Sequence, residues 1–402
     1  MLIVKKFGGS SVADKERIFN VARRCIEDYR AGHDVVVVLS AMGDTTDDLI
    51  AMAHRIHEKP PKREMDMLLA VGEQMSVAYM GMAMDALGVP AISLNAFQVQ
   101  MHTNSSYGAA KLKRIDTERI RNELAMHKIV IVTGFQGVNK FDDVTTLGRG
   151  GSDTTAVALA ACLHADACEI YTDVDGVYTA DPRIVPEARK LSEISYSEML
   201  EMATLGAKVL HNRSVEMAKK YGVQLVVRSS LNKNEGTVVK EAARMEKMIV
   251  SGVASDKDVS RISVMGVENE PGIAFKVFNS LAKKKINVDI ILQSVGRGGT
   301  KDIAFTVAKG DVDAAIEVIK EDMKVFTAQG YEVEEGVAKV SIIGAGMTSH
   351  PGVAAKMFEA LSSGGINIKM ISTSEIRITV VVDENDADRA VRRIHDAFDL
   401  AD

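Results

Sequence analysis

Short aliphatic runs alternate with helical segments through the first 240 residues, and this alternation constrains the fold most. Strands are predicted at 2–7 and 34–40, where Val35 to Leu39 is wholly aliphatic, and a helix is predicted between them at 13–31. Strands that are apolar on both faces are typical of a parallel sheet covered by helices on both sides. Ligands of such sheets bind at the carboxyl ends of the strands. We therefore expect an α/β domain whose site lies in the loops that follow its strands.

Later segments continue this pattern. Strands are predicted at 90–94, 128–133, 167–172 and 223–228, and helices from about residue 45 and at 64–87, 116–127, 152–164 and 207–221. The segment 232–247 that follows is polar and charged, and it is the best candidate for a domain boundary. We therefore expect two parts, a first α/β domain over 1–245 and a second region over 246–402.

The second region contains an internal repeat. Pro271-Gly272 recurs at an offset of 80 as Pro351-Gly352, and the same offset gives further identities at Lys276, Phe278, Leu281, Ile286, Asn287 and Ile291. Agreement at one offset indicates a duplicated unit, which we predict as βαββαβ. The first copy is placed at about 265–337 and the second at about 338–402, with a strand from 248–264 as a candidate addition to the second. Two unrelated ferredoxin-like pieces are the alternative.

Composition argues against several classes of protein. The net charge is -6 over 402 residues, so the chain lacks the basic surface of a nucleic-acid-binding protein. Its longest aliphatic run is far shorter than a membrane span. The three cysteines form no CxxC pair, which argues against a thiolate metal site and a disulfide framework and favours a reducing cytoplasm. We expect no metal site built from protein side chains, no nucleic-acid partner and no membrane contact.

Two glycine-rich segments stand between a strand and a helix. Lys6 precedes Gly8 and Gly9 at the end of the first strand, and Arg149 lies in the run 148–154 before a later helix. Glycines let backbone N–H groups approach phosphate oxygens, and a helix N-terminus attracts anions. Lysine and arginine add positive charge at the same places. Each segment alone is also compatible with a tightly packed or capped turn.

Two acidic features complete the pattern. Residues 172–183 form a long polar segment after a predicted buried strand. The spacing of its carboxylates does not include the terminal Glu of an EF-hand. We therefore prefer a nucleotide-lining loop to a calcium loop or a plain surface loop. Glu73 interrupts an apolar helix directly after Gly72, where a lone carboxylate is costly without a partner. A helix cap or an ion pair would satisfy it, and so would a bound cation or amino group.

Together these segments resemble the aspartokinases (aspartate kinases), which belong to the amino-acid kinase family and carry tandem ACT domains. The matching motifs are KFGGSS at 6–11, SAMGDTT at 40–46, GE at 72–73, GRGGSD at 148–153, TDVDGVYTADPR at 172–183 and GAKVLH at 206–211. Asn212 departs from the pattern, since many members have Pro there. The implied fold class is α/β: an amino-acid kinase fold, with a mainly parallel sheet sandwiched by helices, followed by two ferredoxin-like βαββαβ ACT domains.

The resemblance implies transfer of the ATP γ-phosphoryl group to the side-chain carboxylate of L-aspartate, giving 4-phospho-L-aspartate on the route to lysine, threonine and methionine. ATP would be bound with Mg²⁺. The implied catalytic residues are Lys6, Asp153 and Lys208. The implied ATP-binding residues are Lys6, Phe7, Gly8, Gly9, Thr172, Asp173, Tyr178, Arg183 and Lys208. The implied aspartate-binding residues are Ser40, Thr46, Glu73, Arg149, Gly150, Gly151 and Ser152.

The resemblance also implies individual roles. Ser40 and Thr46 would hold the acceptor carboxylate of the substrate. Glu73 would pair with its ammonium group and Arg149 with its α-carboxylate. Asp153 would orient Lys6 and Lys208 rather than act as a base, because the acceptor carboxylate is already ionised at pH 7.

The ACT domains imply feedback regulation by an end-product amino acid, lysine or threonine or both. The candidate effector residues are Asn269, Asp289, Gln293 and Asn367. Self-association through ACT domains, in a homodimer or a larger assembly, would place effector pockets at an interface between chains. A kinase of another amino acid and an amino-acid sensor with an inactive kinase fold are the alternatives. The tandem repeat argues against the first, and intact Lys6, Arg149 and Asp153 argue against the second.

Overall fold

The computed structural model describes residues 1–206, 209–241, 248–294, 299–347 and 350–401. By their internal contacts these residues fall into two units. The first unit takes the described residues of 1–178, 190–204 and 209–241. The second takes 179–189, 205–206 and the described residues from 248 onward. The units are therefore not continuous in sequence, and the limits 1–245 and 246–402 stay a prediction.

The first unit is built on two sheets. Its strands are β1 (Leu2–Phe7), β2 (Asp34–Leu39), β3 (Ala91–Leu94), β4 (His102–Thr103), β5 (Leu112–Arg114), β6 (Ile129–Thr133), β7 (Gln136–Val138), β8 (Val144–Thr146), β9 (Ala167–Thr172), β10 (Glu193–Ser195), β11 (Leu225–Ser229) and β12 (Thr237–Lys240). The main sheet has the order β10-β12-β11-β9-β1-β2-β6-β3, and its neighbours are parallel except β11 and β12. A small sheet has the order β5-β4-β7-β8.

Helices cover both faces of the main sheet. They are α1 (Lys15–Arg30), α2 (Thr45–Ile56), α3 (Lys62–Ala86), α4 (Glu118–Ala125), α5 (Gly151–Leu163), α6 (Tyr196–Thr204) and α7 (Asn212–Tyr221). Val35, Val37 and Leu39 of β2 share a buried core with α1 and α3. Helix α5 contacts β1 and β9, and Lys6 of β1 reaches it from the opposite face to Phe7, which packs in the α1–α3 core. The predicted parallel sheet sandwiched by helices is confirmed.

The end of this unit contains one strand within the first domain predicted over 1–245 and shows one difference in a helix start. The segment 232–247, which we take as the domain boundary, contains β12, which pairs with β10 and β11 of the same unit. The charged residues on either side of this short strand make it hard to recognise in the sequence, although its Thr237 and Val239 are buried. The helix predicted at 207–221 begins at Asn212 as α7, and residues 209–211 before it are not helical.

The second unit contains one six-stranded sheet. Its strands are β13 (Gly252–Glu268), β14 (Ile291–Gln293), β15 (Thr300–Val307), β16 (Gly330–Ile343), β17 (Met370–Thr373) and β18 (Arg377–Asp383), in the order β14-β15-β13-β16-β18-β17. The helices are α8 (Ile273–Lys283), α9 (Val312–Asp322), α10 (Val353–Ser363) and α11 (Ala387–Ala397). None of the helices in the described part of the chain has the length and apolarity that a membrane span requires.

The internal repeat is visible in this sheet. Helices α8 and α10 begin and end 80 residues apart. Each is preceded by a glycine with a left-handed backbone, Gly272 at φ +90° and Gly352 at φ +97°, which explains why the Pro-Gly pair recurs. Strands β13 and β16 are long enough to serve both copies, because residues 252–256 pair with the far half of β16 while residues 260–268 pair with β15. The predicted pair of βαββαβ units is confirmed.

Thr179 anchors residues 179–189 within the second unit. Its buried hydroxyl donates to the carbonyl of Leu400 at 3.0 Å and accepts from the backbone N–H of Arg189 at 3.0 Å. Nε2 of His395 lies 2.9 Å from the same oxygen. Burial lowers the pKa of His395, so its ring is held in the neutral form.

We expect Thr179→Val to lower the free energy of unfolding by about 1–3 kcal/mol, because the isosteric valine leaves these buried partners without a hydrogen bond. Chemical denaturation followed by circular dichroism measures the change. The control is Thr373→Val on the exposed face of β17, which should stay within about 0.5 kcal/mol of the wild type. Equal stability of the two variants would contradict the role of the Thr179 hydroxyl.

Candidate active site

A cavity of about 320 Å³ opens in the first unit where β1 and β2 end and α5 begins. Parallel strands direct their carboxyl ends to one edge, so loops that are distant in sequence meet there. The cavity brings together the predicted residues Lys6, Gly8, Gly9, Ser40, Thr46, Glu73, Arg149, Gly150, Gly151, Ser152 and Asp153. Ala41, Gly43, Phe135 and Gly148 also line it. Sequence reasoning did not select these four, although Ala41, Gly43 and Gly148 lie within the quoted motifs.

An ion pair connects the two glycine-rich segments. Nζ of Lys6, in β1, lies 2.6 Å from Oδ1 of Asp153, in the first turn of α5. Both side chains are about 12–13% exposed, so the pair is shielded from solvent but still borders the cavity. A carboxylate in the first turn of a helix interacts favourably with the helix dipole. The pair therefore fixes a cation beside the N–H groups at the N-terminus of α5.

Two glycines permit close backbone approach around this pair. Gly150 precedes α5 at φ +69°, and a Cβ at this position would lie 2.2 Å from the ring of His211. A Cβ on Gly9 would lie 2.6 Å from the carbonyl oxygen of Ala41. Arg213 supports the same region by donating to the carbonyl of Leu147 at 3.0 Å. His211 and Arg213 were not predicted as site residues, although the GAKVLH motif ends at His211.

Glu73 is a buried carboxylate that is only partly satisfied. Its Oε1 accepts from the backbone N–H of Ala41 at 3.1 Å, and its Oε2 has no hydrogen-bond partner within the described part of the chain. Burial raises the pKa of Glu73 to about 7, although the Ala41 N–H opposes the shift. Asp66 in the same helix differs, because it accepts from Gly108 and from both the N–H and the hydroxyl of Thr146. Glu73 is therefore able to accept a cationic ligand inside the cavity.

Comparisons with known proteins show the family of this chain. The Amino acid kinase family matches residues 1–229, and the ACT domain matches residues 262–323 and 340–398. The aspartokinase of Bacillus sp. (strain MGA3) is 51% identical over 401 residues, which are 100% of this chain and 98% of that protein. This chain belongs to the aspartokinases. The resemblance predicted from the motifs is thereby confirmed.

Solved aspartokinase structures share the fold. E. coli aspartokinase III in complex with aspartate and ADP (R-state) has a TM-score of 0.85 at 28% identity, with 99% of each chain covered. The complex of the same enzyme with lysine and aspartate (T-state) has a TM-score of 0.78 at 27% identity, again with 99% of each chain covered.

The ATP-binding residues expected for an aspartokinase are only partly gathered in the cavity. The side chain of Phe7 does not border it, because the ring is fully buried and stacks on Tyr171 at 4.4 Å between centroids. Thr172 ends β9, the neighbour of β1, and Asp173 follows it; the Thr172 hydroxyl donates to Asp173 at 2.9 Å. Arg183 belongs to the second unit, where it pairs with Asp181 at 2.6 Å. Lys208 lies outside the described residues.

The candidate effector residues of an aspartokinase are spread across the second unit. Asn269, Gln293 and Asn367 are exposed. Asp289 is paired with Lys339 at 2.6 Å, so an effector ammonium group would have to compete with that lysine. Gln293 lies on β14 and Asn367 precedes β17, at opposite edges of the six-stranded sheet. One chain therefore does not bring these two residues together.

We expect Gly9→Ala to lower the free energy of unfolding by about 1–3 kcal/mol, because its methyl group would overlap the backbone carbonyl of Ala41. Gly8→Ala is the matched control. A Cβ on Gly8 would find its nearest neighbour at 3.6 Å, which is ordinary contact, so its stability should change by less than about 0.5 kcal/mol. Thermal and urea unfolding compare the two. A Gly9→Ala variant as stable as Gly8→Ala would mean that the loop is not tightly packed.

Proposed function

We propose that this chain transfers the γ-phosphoryl group of ATP to the side-chain carboxylate of L-aspartate, giving 4-phospho-L-aspartate and ADP. The observation that carries the proposal is that one cavity is lined by the Lys6–Asp153 pair, the buried Glu73 carboxylate and Arg149. The similar E. coli aspartokinase III has been solved with aspartate and ADP. The product would serve the routes to lysine, threonine and methionine. We expect the reaction to take place in the cytoplasm.

The charges that line the cavity suit an amino acid with two carboxylates. Glu73 would pair with the substrate ammonium group, and Arg149 would bind the α-carboxylate. Ser40 and Thr46 would then hold the side-chain carboxylate close to Lys6. A substrate held at three points leaves its reacting oxygen with little freedom, which lowers the entropic part of the barrier.

The chemistry requires positive charge more than it requires a base. A carboxylic acid with a pKa of about 4 is ionised at pH 7, so the acceptor needs no proton removed. The barrier instead includes repulsion between this anion and the phosphates of ATP. Lys6 and the backbone N–H groups at the start of α5 would offset that repulsion, and Asp153 would keep Lys6 in position.

Mg²⁺ would be bound through the nucleotide. The described residues contain no group of three or more His, Cys, Asp or Glu side chains that could hold a metal ion. The cavity offers a cation and N–H donors, which suit phosphate oxygens, so phosphates and water would supply most ligands of the ion. The ion would neutralise part of the phosphate charge during transfer.

We expect Lys6→Met to lower kcat by about 100- to 1,000-fold, because a fixed cation at the transferred group is lost while the length of the side chain is kept. ADP release with L-aspartate and ATP measures the rate, and circular dichroism checks the fold. Lys15→Met, at the exposed start of α1, is the control and should stay within about twofold of the wild type. A folded Lys6→Met enzyme with nearly normal kcat would refute the assignment.

We expect the KM for aspartate to fall about tenfold between pH 6 and pH 8 at saturating ATP. In the ligand-free enzyme Glu73 has a pKa raised to about 7 by burial, so it becomes ionised and able to pair with an ammonium group across this range. Glu73→Gln should raise the KM for aspartate and abolish its pH dependence, with a smaller effect on the KM for ATP. Initial rates at varied aspartate and pH test this.

Ionisation of Glu73 favours aspartate binding, but it should lower the free energy of unfolding of the ligand-free enzyme. Because the folded-state pKa is above the unfolded value of 4.5, the contribution of Glu73 to stability is present at low pH and is lost as the pH rises through about 7. Glu73→Gln should therefore stabilise the ligand-free enzyme at pH 8 relative to the wild type. Asp66→Asn serves as a control that should leave the pH dependence of the aspartate KM intact. An unchanged pH dependence in Glu73→Gln would exclude Glu73 as the ammonium ligand.

We further propose feedback inhibition by an amino acid bound between the ACT domains of two chains, since Gln293 and Asn367 lie at opposite edges of one sheet. The E. coli aspartokinase III has been solved with lysine and aspartate in its T-state. An effector acts only if it binds one state of the enzyme more tightly than the other.

We expect Gln293→Ala to weaken inhibition by lysine or threonine at least fivefold, because it removes one polar contact with the effector. The two amino acids are added singly and together. The kcat without inhibitor should stay within about threefold of the wild type. Inhibition curves at fixed substrate measure this, and sedimentation at matched concentration follows the assembly. Identical inhibition of the variant would place the effector elsewhere.

A further inference from the structure

The carboxylate of Asp175 contacts side chains from three places in the first unit: its own loop, residue 190 and residue 234. Its Oδ1 accepts from the hydroxyl of Tyr178 at 2.6 Å. Its Oδ2 accepts from Nδ2 of Asn234 at 3.0 Å and lies 3.4 Å from Nζ of Lys190. Nζ of Lys190 also donates to the carbonyl of Glu235 at 2.8 Å. Asp175 is therefore an acceptor for the Tyr178 hydroxyl and the Asn234 amide, and it also pairs with the ammonium group of Lys190.

The backbone around Asp175 is fixed as well. Tyr178 and Lys190 form an antiparallel bridge, and the N–H of Val177 donates to Oγ1 of Thr237 at 2.8 Å. A Cβ on Gly176 would lie 2.6 Å from the same Thr237 oxygen. The main chain of the loop is thus held at residues 177 and 178, and Gly176 has no room for a side chain. The side chain of Tyr178 has its hydroxyl bonded to a carboxylate, which is a stronger hydrogen bond than one between neutral groups.

We propose that Asp175 is a positioning residue for the nucleotide, which holds the phenol of Tyr178 in the orientation that ATP requires and links it to Lys190 and Asn234. The inference rests on the proposed function and on the role that the resemblance to aspartokinases implies for Tyr178, which is to line the nucleotide site. Asp175 acts through Tyr178 rather than on the nucleotide itself. A tyrosine whose hydroxyl is held before ligand binding loses less rotational freedom when the ligand arrives, so the nucleotide binds more tightly.

The test is ADP affinity measured by titration calorimetry on the full chain, without aspartate. We expect Asp175→Ala to weaken ADP binding about tenfold, while Asp175→Asn, which keeps an acceptor for the Tyr178 hydroxyl, restores most of the loss. Tyr178→Phe should weaken binding by a similar factor. The double variant Asp175→Ala with Tyr178→Phe should be no weaker than either single variant, because both remove the same hydrogen bond.

A matched control exists in the same unit. Asp143 also accepts from a tyrosine hydroxyl, that of Tyr107 at 2.7 Å, and from Arg63 at 2.6 Å, but it lies between β7 and β8. Asp143→Ala should bind ADP within twofold of the wild type. In steady-state assays Asp175→Ala should raise the KM for ATP about tenfold and leave the KM for aspartate within twofold.

Several results would overturn the proposal: ADP affinity of Asp175→Ala within twofold of the wild type, an equal loss in Asp143→Ala, or multiplicative losses in the double variant. If Asp175→Ala does not fold, Tyr178→Phe decides, since normal ADP affinity there excludes the role. Calorimetry needs no turnover, so a wild type that binds ADP but does not phosphorylate aspartate would refute the proposed function and still leave the role of Asp175 measurable.

Discussion

The ion pair between Lys6 and Asp153 connects the end of the first strand to the start of a helix 147 positions later, and the site is organised around it. The proposed reaction brings an anionic acceptor against anionic phosphates, so fixed positive charge is its main requirement. A lysine alone would be a flexible charge in solvent. Held at 2.6 Å by a carboxylate that belongs to a buried helix, it becomes part of a rigid site together with the N–H groups of that helix.

Lys5 and Lys6 are neighbours in β1, but they lie on opposite faces of the sheet and have different environments. Successive side chains of a strand face opposite sides, so Lys6 reaches the cavity while Lys5 is buried beneath α1. Lys5 contacts Asp28 and Glu169, each at 2.5 Å. Burial by itself would lower the pKa of Lys5, but its interactions with Tyr171 and Glu169 raise it, so the group is charged and its role is structural. The residues are adjacent in sequence, and only one of them can serve the proposed reaction.

The loop after β9 serves two parts of the protein in succession. Up to Tyr178 the loop belongs to the first unit, where Asp175 accepts a hydrogen bond from the Tyr178 hydroxyl. From Thr179 to Arg189 it belongs to the second unit, where the Thr179 hydroxyl lies beside His395 of α11. The covalent bond between residues 178 and 179 therefore joins the proposed nucleotide loop to the unit that carries the ACT domains.

The sequence by itself determined the parallel sheet, the duplicated ACT unit and most of the cavity, because each has a local pattern: aliphatic runs, a repeat at offset 80, and glycines beside Lys6 and Arg149. The tertiary structure decided what depends on contacts between distant segments. It buried Phe7 against Tyr171, formed β12 within the polar segment 232–247, and gave Asp175 partners at Lys190 and Asn234. The types and spacing of residues in a segment indicate which strand, helix or loop that segment forms. The pKa of a side chain and its hydrogen-bond partners depend on packing between segments that are distant in the chain.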